Sequence, residues 1–133
     1  MSTIQDAHTT PPLTVPNKSS ELFDWINHCK YILSEAGIPH DQFTAEIHEL
    51  NHMRNRCLGS GADRVGLQLY GKYYQQTVNI TNRFVVVDVP EGQPGFKWSD
   101  AYDSSFQMEQ NSVAFEKANI LFNSAAILSQ QAA

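Results

Sequence analysis

At 133 residues and 15.0 kDa the chain has the size of one domain. Its 41% hydrophobic content suffices for a core, while a net charge of −5 and a pI near 5.4 exclude a general nucleic-acid binder, which needs a basic surface. No apolar run reaches the roughly 20 residues that span a bilayer, and Met1–His8 lacks the pattern of a secretory signal, so a soluble, intracellular, globular protein is expected.

Residues 1–12 are mostly polar, carry Thr9-Thr10-Pro11-Pro12, and read as a disordered or polyproline-like lead-in. Leu13-Thr14-Val15, stopped by Pro16, reads as a brief edge strand. Ser19-Ser20 offers an N-cap to a first helix whose apolar face carries Leu22, Ile26, Cys29 and Leu33, with Gly37 and Pro39 ending it. A second helix starts near Asp41 and buries Phe43, Ile47, Leu50, Met53 and Cys57; Gly59-Ser60-Gly61 closes it. A third runs from about Ala62 to Thr81 with Leu67, Tyr70, Tyr74 and Val78 inward. Past Arg83 the period becomes extended. Phe84-Val85-Val86-Val87 reads as a strand, Pro90 to Gly95 as a turn, and Phe96-Lys97-Trp98 as a further strand in a hairpin or paired segment, with Phe96 and Trp98 on one face. The fold class is mostly α with a small β-sheet or hairpin.

The last helix, from Ser112 onward, is apolar on most of its circumference. One stripe holds Ala114, Ala118, Leu121, Ala125, Leu128 and Ala132; a second holds Val113, Phe115, Phe122 and Ile127. Such a helix is expected to be buried on both sides, while Glu116, Lys117, Asn119 and Asn123 make it too polar for a bilayer. No Gly, Pro or basic turn ends it, and three preceding helices could cover only one side. A partial domain, truncated at its C-terminal end, is the expectation.

Charge is uneven: residues 1–50 carry two basic against seven acidic groups, 51–84 five against one, and 85–133 two against six. The basic middle reads as a solvated helix face, with anionic lipid or an acidic partner as the sharper alternative. Cys29 and Cys57 fit neither a disulfide scaffold nor a zinc spacing, and read as buried free thiols.

His48-Glu49-Leu50-Asn51-His52 matches H-E-x-x-H, in which two histidines on one helix face hold zinc and the glutamate activates water. The rest of that site is missing. The positions where the longer zincin pattern needs Gly and His hold Asn55 and Leu58, and residues 65–87 contain no Glu. With Ile47 and Leu50 inward, the histidines fall on a flank that reads as a solvated polar face. Cys57 with His52, and Asp100 with Asp103, read as packing and turn-capping residues rather than as catalytic pairs. No nucleophile elbow, phosphate loop or dinucleotide fingerprint occurs. No catalytic residue, metal ligand or cofactor is assigned.

The segment Phe96-Lys97-Trp98-Ser99-Asp100 leads into a helix reading Ser112-Val113-Ala114-Phe115-Glu116-Lys117, then Leu121-Phe122-Asn123, then Ser129-Gln130. This resembles the BRO1 domain family, whose pattern joins an F-x-W-x-D strand end to S-x-x-F-E-K-x-x-x-L-F-N-x-A-A-x-x-S-Q-x-A. Weaker similarity lies in Leu13-Thr14-Val15, in Glu49-Leu50-Asn51-His52-Met53-Arg54 and in Leu69-Tyr70-Gly71-Lys72-Tyr73-Tyr74. Ser124 and Gln131 depart from the pattern.

The resemblance implies that residues 13–133 are the N-terminal part of a helical scaffold with a small sheet, about a third of a BRO1 domain. It implies a non-enzymatic adaptor of endosomal sorting or pH signalling, cytoplasmic and endosome-associated. Its partner would be the C-terminal helix of an ESCRT-III subunit of the Snf7/CHMP4 class, with peripheral contact to endosomal membrane and none to nucleic acid. The residues of that binding patch lie, in the family, outside the stretch matched here, so none is carried over. Phe96, Trp98, Asp100, Phe115, Glu116, Lys117, Leu121, Phe122 and Asn123 match the motif as structural residues. A Rho-linked adaptor of the rhophilin type is the alternative, and a zinc peptidase built on His48, Glu49 and His52 the remote one.

Overall fold

In the computed structural model, residues 14–83 and 87–132 are described. Helix α1 spans Trp25–Glu35; a 3₁₀ turn over His40–Phe43 leads into α2, Thr44–Leu58; α3 spans Arg64–Arg83. Strands β1 (Phe96–Ser99) and β2 (Gln107–Gln110) form an antiparallel pair, and α4 runs over Val113–Ala132. Each helix packs on its neighbour in chain order, α1 on α2, α2 on α3, α3 on α4, and β1 lies against α4. The core therefore forms between consecutive amphipathic faces and the inner face of the hairpin.

Helix α1 begins later than its sequence suggests. Asp24, not Ser19 or Ser20, is the N-cap, accepting from the Asn27 amide at 3.0 Å. The serines stay extended because they pair with β1: the Ser99 amide donates to Ser19 O (2.8 Å), the Glu21 amide to Lys97 O (3.1 Å), and Ser20 bridges Trp98. Leu22 consequently points into solvent, and Trp25, His28 and Ile32 join Cys29 and Leu33 inside. At the far end Gly37 adopts φ +71°, which only glycine enters without steric cost, and the Ile38 amide closes back on Leu33 O.

In α2, Ile47, Leu50 and Cys57 are buried and Phe43 and Met53 half-buried. In α3 the inward face is rotated by one residue from the expected one. Tyr70, Tyr73 and Thr77 are buried, whereas Leu67, Tyr74 and Val78 are only half-buried. Hydrogen bonding decides this, since Tyr73 reaches a buried carboxylate described below.

The hairpin also differs. Phe96 and Trp98 are buried on one side, but β1 pairs with Gln107–Gln110, with Trp98 opposite Met108, and not across the 90–95 turn. Gly95 sits where a Cβ would lie 2.6 Å from Gln110 O, so the approach of the two chain segments needs a glycine. Residues 84–86 of the expected strand, the lead-in 1–12 and Leu13 lie outside the described residues; Thr14 and Val15 are not in a strand.

The largest correction concerns α4. The stripe Ala114, Ala118, Leu121, Ala125, Leu128 and Ala132 faces solvent along its whole length. The buried face is instead Val113, Glu116, Asn119, Ile120, Asn123, Ala126 and Ile127, which includes three of the four residues that give the helix its polar character. Burial follows hydrogen bonding here as much as hydropathy.

Candidate functional site

Glu116, buried on the inner face of α4, is the centre of the molecule's polar architecture. Its Oε2 accepts from Arg54 Nε (2.7 Å) and Tyr73 OH (2.6 Å), and its Oε1 from Trp98 Nε1 (2.7 Å). Tyr73 OH in turn accepts from Trp25 Nε1 at 2.6 Å. Arg54, from α2, extends its fork past the carboxylate, donating to Glu21 O (2.9 Å) and Ser20 Oγ (2.8 Å). Five separate segments, 20–25, α2, α3, β1 and α4, thus meet on one carboxylate. Phe23 stacks on Phe96 with ring centroids 4.1 Å apart, and the Arg54 guanidinium lies 5.8 Å from the Trp98 ring and 5.9 Å from the Phe23 ring.

The electrostatics match this geometry. Burial alone would weaken the Arg54 guanidinium, but the Glu116 carboxylate more than offsets it and raises its pKa. Burial, helped by the same carboxylate, drives Tyr73 well above the usual phenol value. A carboxylate held between a cation and two neutral donors, wholly removed from solvent, organises structure.

A second polar seam runs down α4. Asn123 Oδ1 accepts from the Lys18 amide (2.7 Å) while its Nδ2 donates to Lys18 O (2.9 Å), imitating a strand partner. Asn119 Oδ1 accepts from Lys18 Nζ (3.1 Å). Near the helix end, Ser129 Oγ accepts from the Val15 amide (2.9 Å) and Gln130 Nε2 donates to Val15 O (2.7 Å). The extended segment 15–18 is therefore held by α4 side chains, and Val15, expected at the end of a brief edge strand, pairs with Ser129 and Gln130 instead.

Among the motif residues, Phe96, Trp98, Glu116 and Asn123 come together in the interior. Phe115, Lys117 and Phe122 are half-buried, and Leu121 is exposed. Lys18 Nζ sits 4.6 Å over the Phe122 ring. Exposed Asp100 accepts from the amides of Tyr102 (2.9 Å) and Asp103 (3.0 Å), a turn cap. Trp25, which with Tyr73 completes the Glu116 centre, escaped the sequence reading, and Tyr73 stood only within the weakly similar Leu69–Tyr74 stretch. Arg54 carried a signal, the arginine ending the E-L-x-x-L-R-like stretch.

His48, Glu49 and His52 lie on the exposed face of α2, and no grouping of His, Cys, Asp and Glu among the described residues could hold a metal ion. Cys29 and Cys57 are buried free thiols whose pKa burial pushes up to about 12, incompatible with a thiolate nucleophile. No described helix is long and apolar enough to cross a membrane. The surface offers a groove of mixed character between α1 and the 89–95 turn, lined by Tyr31, Pro90 and Pro94 together with Asp24, Asn27 and Lys30, and the aromatics Tyr102 and Phe106 are exposed beyond β1.

A chain of helices packed in sequence order, with a two-stranded sheet tied to the last of them by a buried carboxylate, defines a helical scaffold. Residues 12–133 match the BRO1-like domain model, and the chain belongs to that family. It is similar to the vacuolar protein-sorting protein bro-1 of Neurospora crassa (36% identical over 125 residues, 92% of this chain and 12% of the relative) and to mouse Rhophilin-1 (32%, 92% and 19%). The chain thus spans under a fifth of the length of these relatives. Among solved structures it resembles the ALIX BRO1–CHMP4C complex (TM-score 0.73, 25% identical, covering 91% of this chain and 37% of that one). It also resembles a Bro1 domain described in terms of endosomal targeting (TM-score 0.69, 26%, 92% and 36%).

Proposed function

We propose that residues 13–133 form the N-terminal framework of a BRO1-type adaptor, non-enzymatic and acting at endosomes from the cytoplasmic side. In this reading Phe96, Trp98, Asp100 and the α4 motif shape the scaffold, and an ESCRT-III helix of the CHMP4 class docks on the assembled domain by helix-in-groove recognition. One observation carries it: the polar motif residues Glu116 and Asn123 are directed wholly inward to knit distant segments, the signature of a scaffold and not of a reaction centre. The likeness to an ALIX BRO1 domain bound to CHMP4C supports the choice of partner. The weaker identity to Rhophilin-1 favours a Rho-linked adaptor as the second reading.

The test is a chimaera in which this chain replaces the equivalent stretch of the ALIX BRO1 domain. Retained binding of a CHMP4C C-terminal helix by isothermal calorimetry is the expected result. A cooperatively folded chimaera that fails to bind overturns the reading, and capture by GTP-loaded Rho in its place transfers it to the rhophilin branch.

A further inference from the structure

Residues 22–34 and 89–95 build the groove between α1 and the turn, and among its described lining residues only His28 is both polar and buried. The imidazole is 5% exposed and fixed in place. Its Nε2 is pinned to Val87 O at 2.6 Å, and its ring packs against Phe23, edge-on at 5.9 Å, and Trp25 at 5.7 Å. Because Nε2 donates, Nδ1 is left as an acceptor. Nδ1 has no hydrogen-bond partner among the described residues, yet none of their wholly buried side-chain nitrogen or oxygen atoms lacks one. Nδ1 therefore reaches open space, and the space that His28 lines is the groove.

One fixed lone pair on the wall of a concavity selects a donor. Burial lowers the pKa of the ring, so the lone pair is present at neutral pH. The other lining residues set the rest of the ligand. Tyr31, Pro90 and Pro94 offer flat faces on which a ring can stack, while the opposite charges of Asp24 and Lys30 favour a ligand without net charge. The cavity, about 580 Å³, falls within the roughly 300–1,000 Å³ of small-molecule sites.

We propose that this groove is a small-molecule site for a neutral aromatic ligand bearing one N–H or O–H donor. The donor hydrogen-bonds to His28 Nδ1, and the ring lies along Tyr31 and the two prolines.

The probe is indole, with benzothiophene as a ring of the same shape that has no donor. Nitrogen-15 NMR of the 133-residue chain, titrated with indole, should show the His28 Nδ1 resonance and the Val89 and Gln93 amides shifting together. Benzothiophene, although more apolar, should bind about two- to tenfold more weakly and leave Nδ1 unmoved. Tyr31→Ala, at an exposed position, should weaken indole about two- to tenfold with unchanged helicity by circular dichroism. The folded chimaera with ALIX, in which the rest of a BRO1 domain surrounds the groove, should bind indole with the same affinity. Equal binding of the two rings, an Nδ1 resonance that never moves, indifference to Tyr31→Ala, or loss of indole binding in the chimaera would each overturn the proposal.

Discussion

Arg54 Nε donates to Glu116 Oε2 at 2.7 Å, with both side chains wholly removed from solvent and 62 residues of chain between them. Desolvating two charges is costly, and the pair persists because Trp98 and Tyr73 satisfy the remaining carboxylate lone pairs. Removing one partner strands the other. Glu116→Ala should cost about 3–5 kcal/mol in urea unfolding, and replacing Arg54 and Glu116 together by apolar residues should cost less than either alone. A loss below about 1 kcal/mol for the single variant would remove the carboxylate from the centre of the fold.

Tyr73 links the carboxylate to Trp25. Tyr73→Phe leaves a buried indole N–H and one carboxylate lone pair without a partner, so about 1–3 kcal/mol should be lost. The folded phenol titrates well above its usual value, whereas the unfolded one titrates near pH 10. Its contribution is thus full below about pH 10 and falls as pH rises beyond it. Tyrosinate absorbance should develop for Tyr73 only as the chain unfolds in alkali, and Tyr73→Phe should flatten the alkaline limb of the stability curve.

The His28 ring donates from Nε2 to Val87 O at 2.6 Å as the neutral tautomer. Burial lowers its pKa, and the Val87 carbonyl and Asp88 charge recover only part of the shift. The depressed value gives stability that is complete above about pH 6.5 and declines as pH falls through the folded value. Urea midpoints measured from pH 7.5 down to 5 should drop, and His28→Gln should reduce that slope whatever it does to absolute stability.

With pKa values pushed up to about 12, Cys29 and Cys57 should resist a thiol reagent at pH 8 in the native chain. Both should react promptly in guanidinium. Fast labelling without denaturant would show that the core around α1 and α2 opens freely.

The His48, Glu49 and His52 face is solvated and has no third ligand among the described residues. Purified protein should carry no stoichiometric zinc, and His48→Ala should change stability by no more than about 0.5 kcal/mol. Stoichiometric zinc lost with that substitution would restore the metal reading.

Much of this molecule is legible from spacing. Ile47, Leu50 and Cys57 face inward because a 3.6-residue period puts them on one stripe of α2, and Gly37 ends α1 because the chain there needs a positive φ. Phe96 and Trp98 alternate as a strand does. The same logic misplaced α1's start, because Ser19 and Ser20, good caps locally, bond to β1 about eighty residues away.

The candidate site was legible only in part for a related reason. Glu116 stood out within a long motif and Arg54 ended a shorter one, but Trp25 lies in an unremarkable stretch and Tyr73 is one of three tyrosines in a weakly similar one. Neither position announces a hydrogen bond to a residue far along the chain.

Composition and periodicity alone determined a mostly helical chain with a small hairpin and an unusually apolar last helix, since those depend on interactions within a few residues. Which side of that helix is buried was decided only in three dimensions. Hydropathy sends alanine and leucine inward, but Glu116, Asn119 and Asn123 each meet partners on other segments there. A face that joins satisfied polar groups to Val113, Ile120, Ala126 and Ile127 took the interior in place of the alanine–leucine stripe.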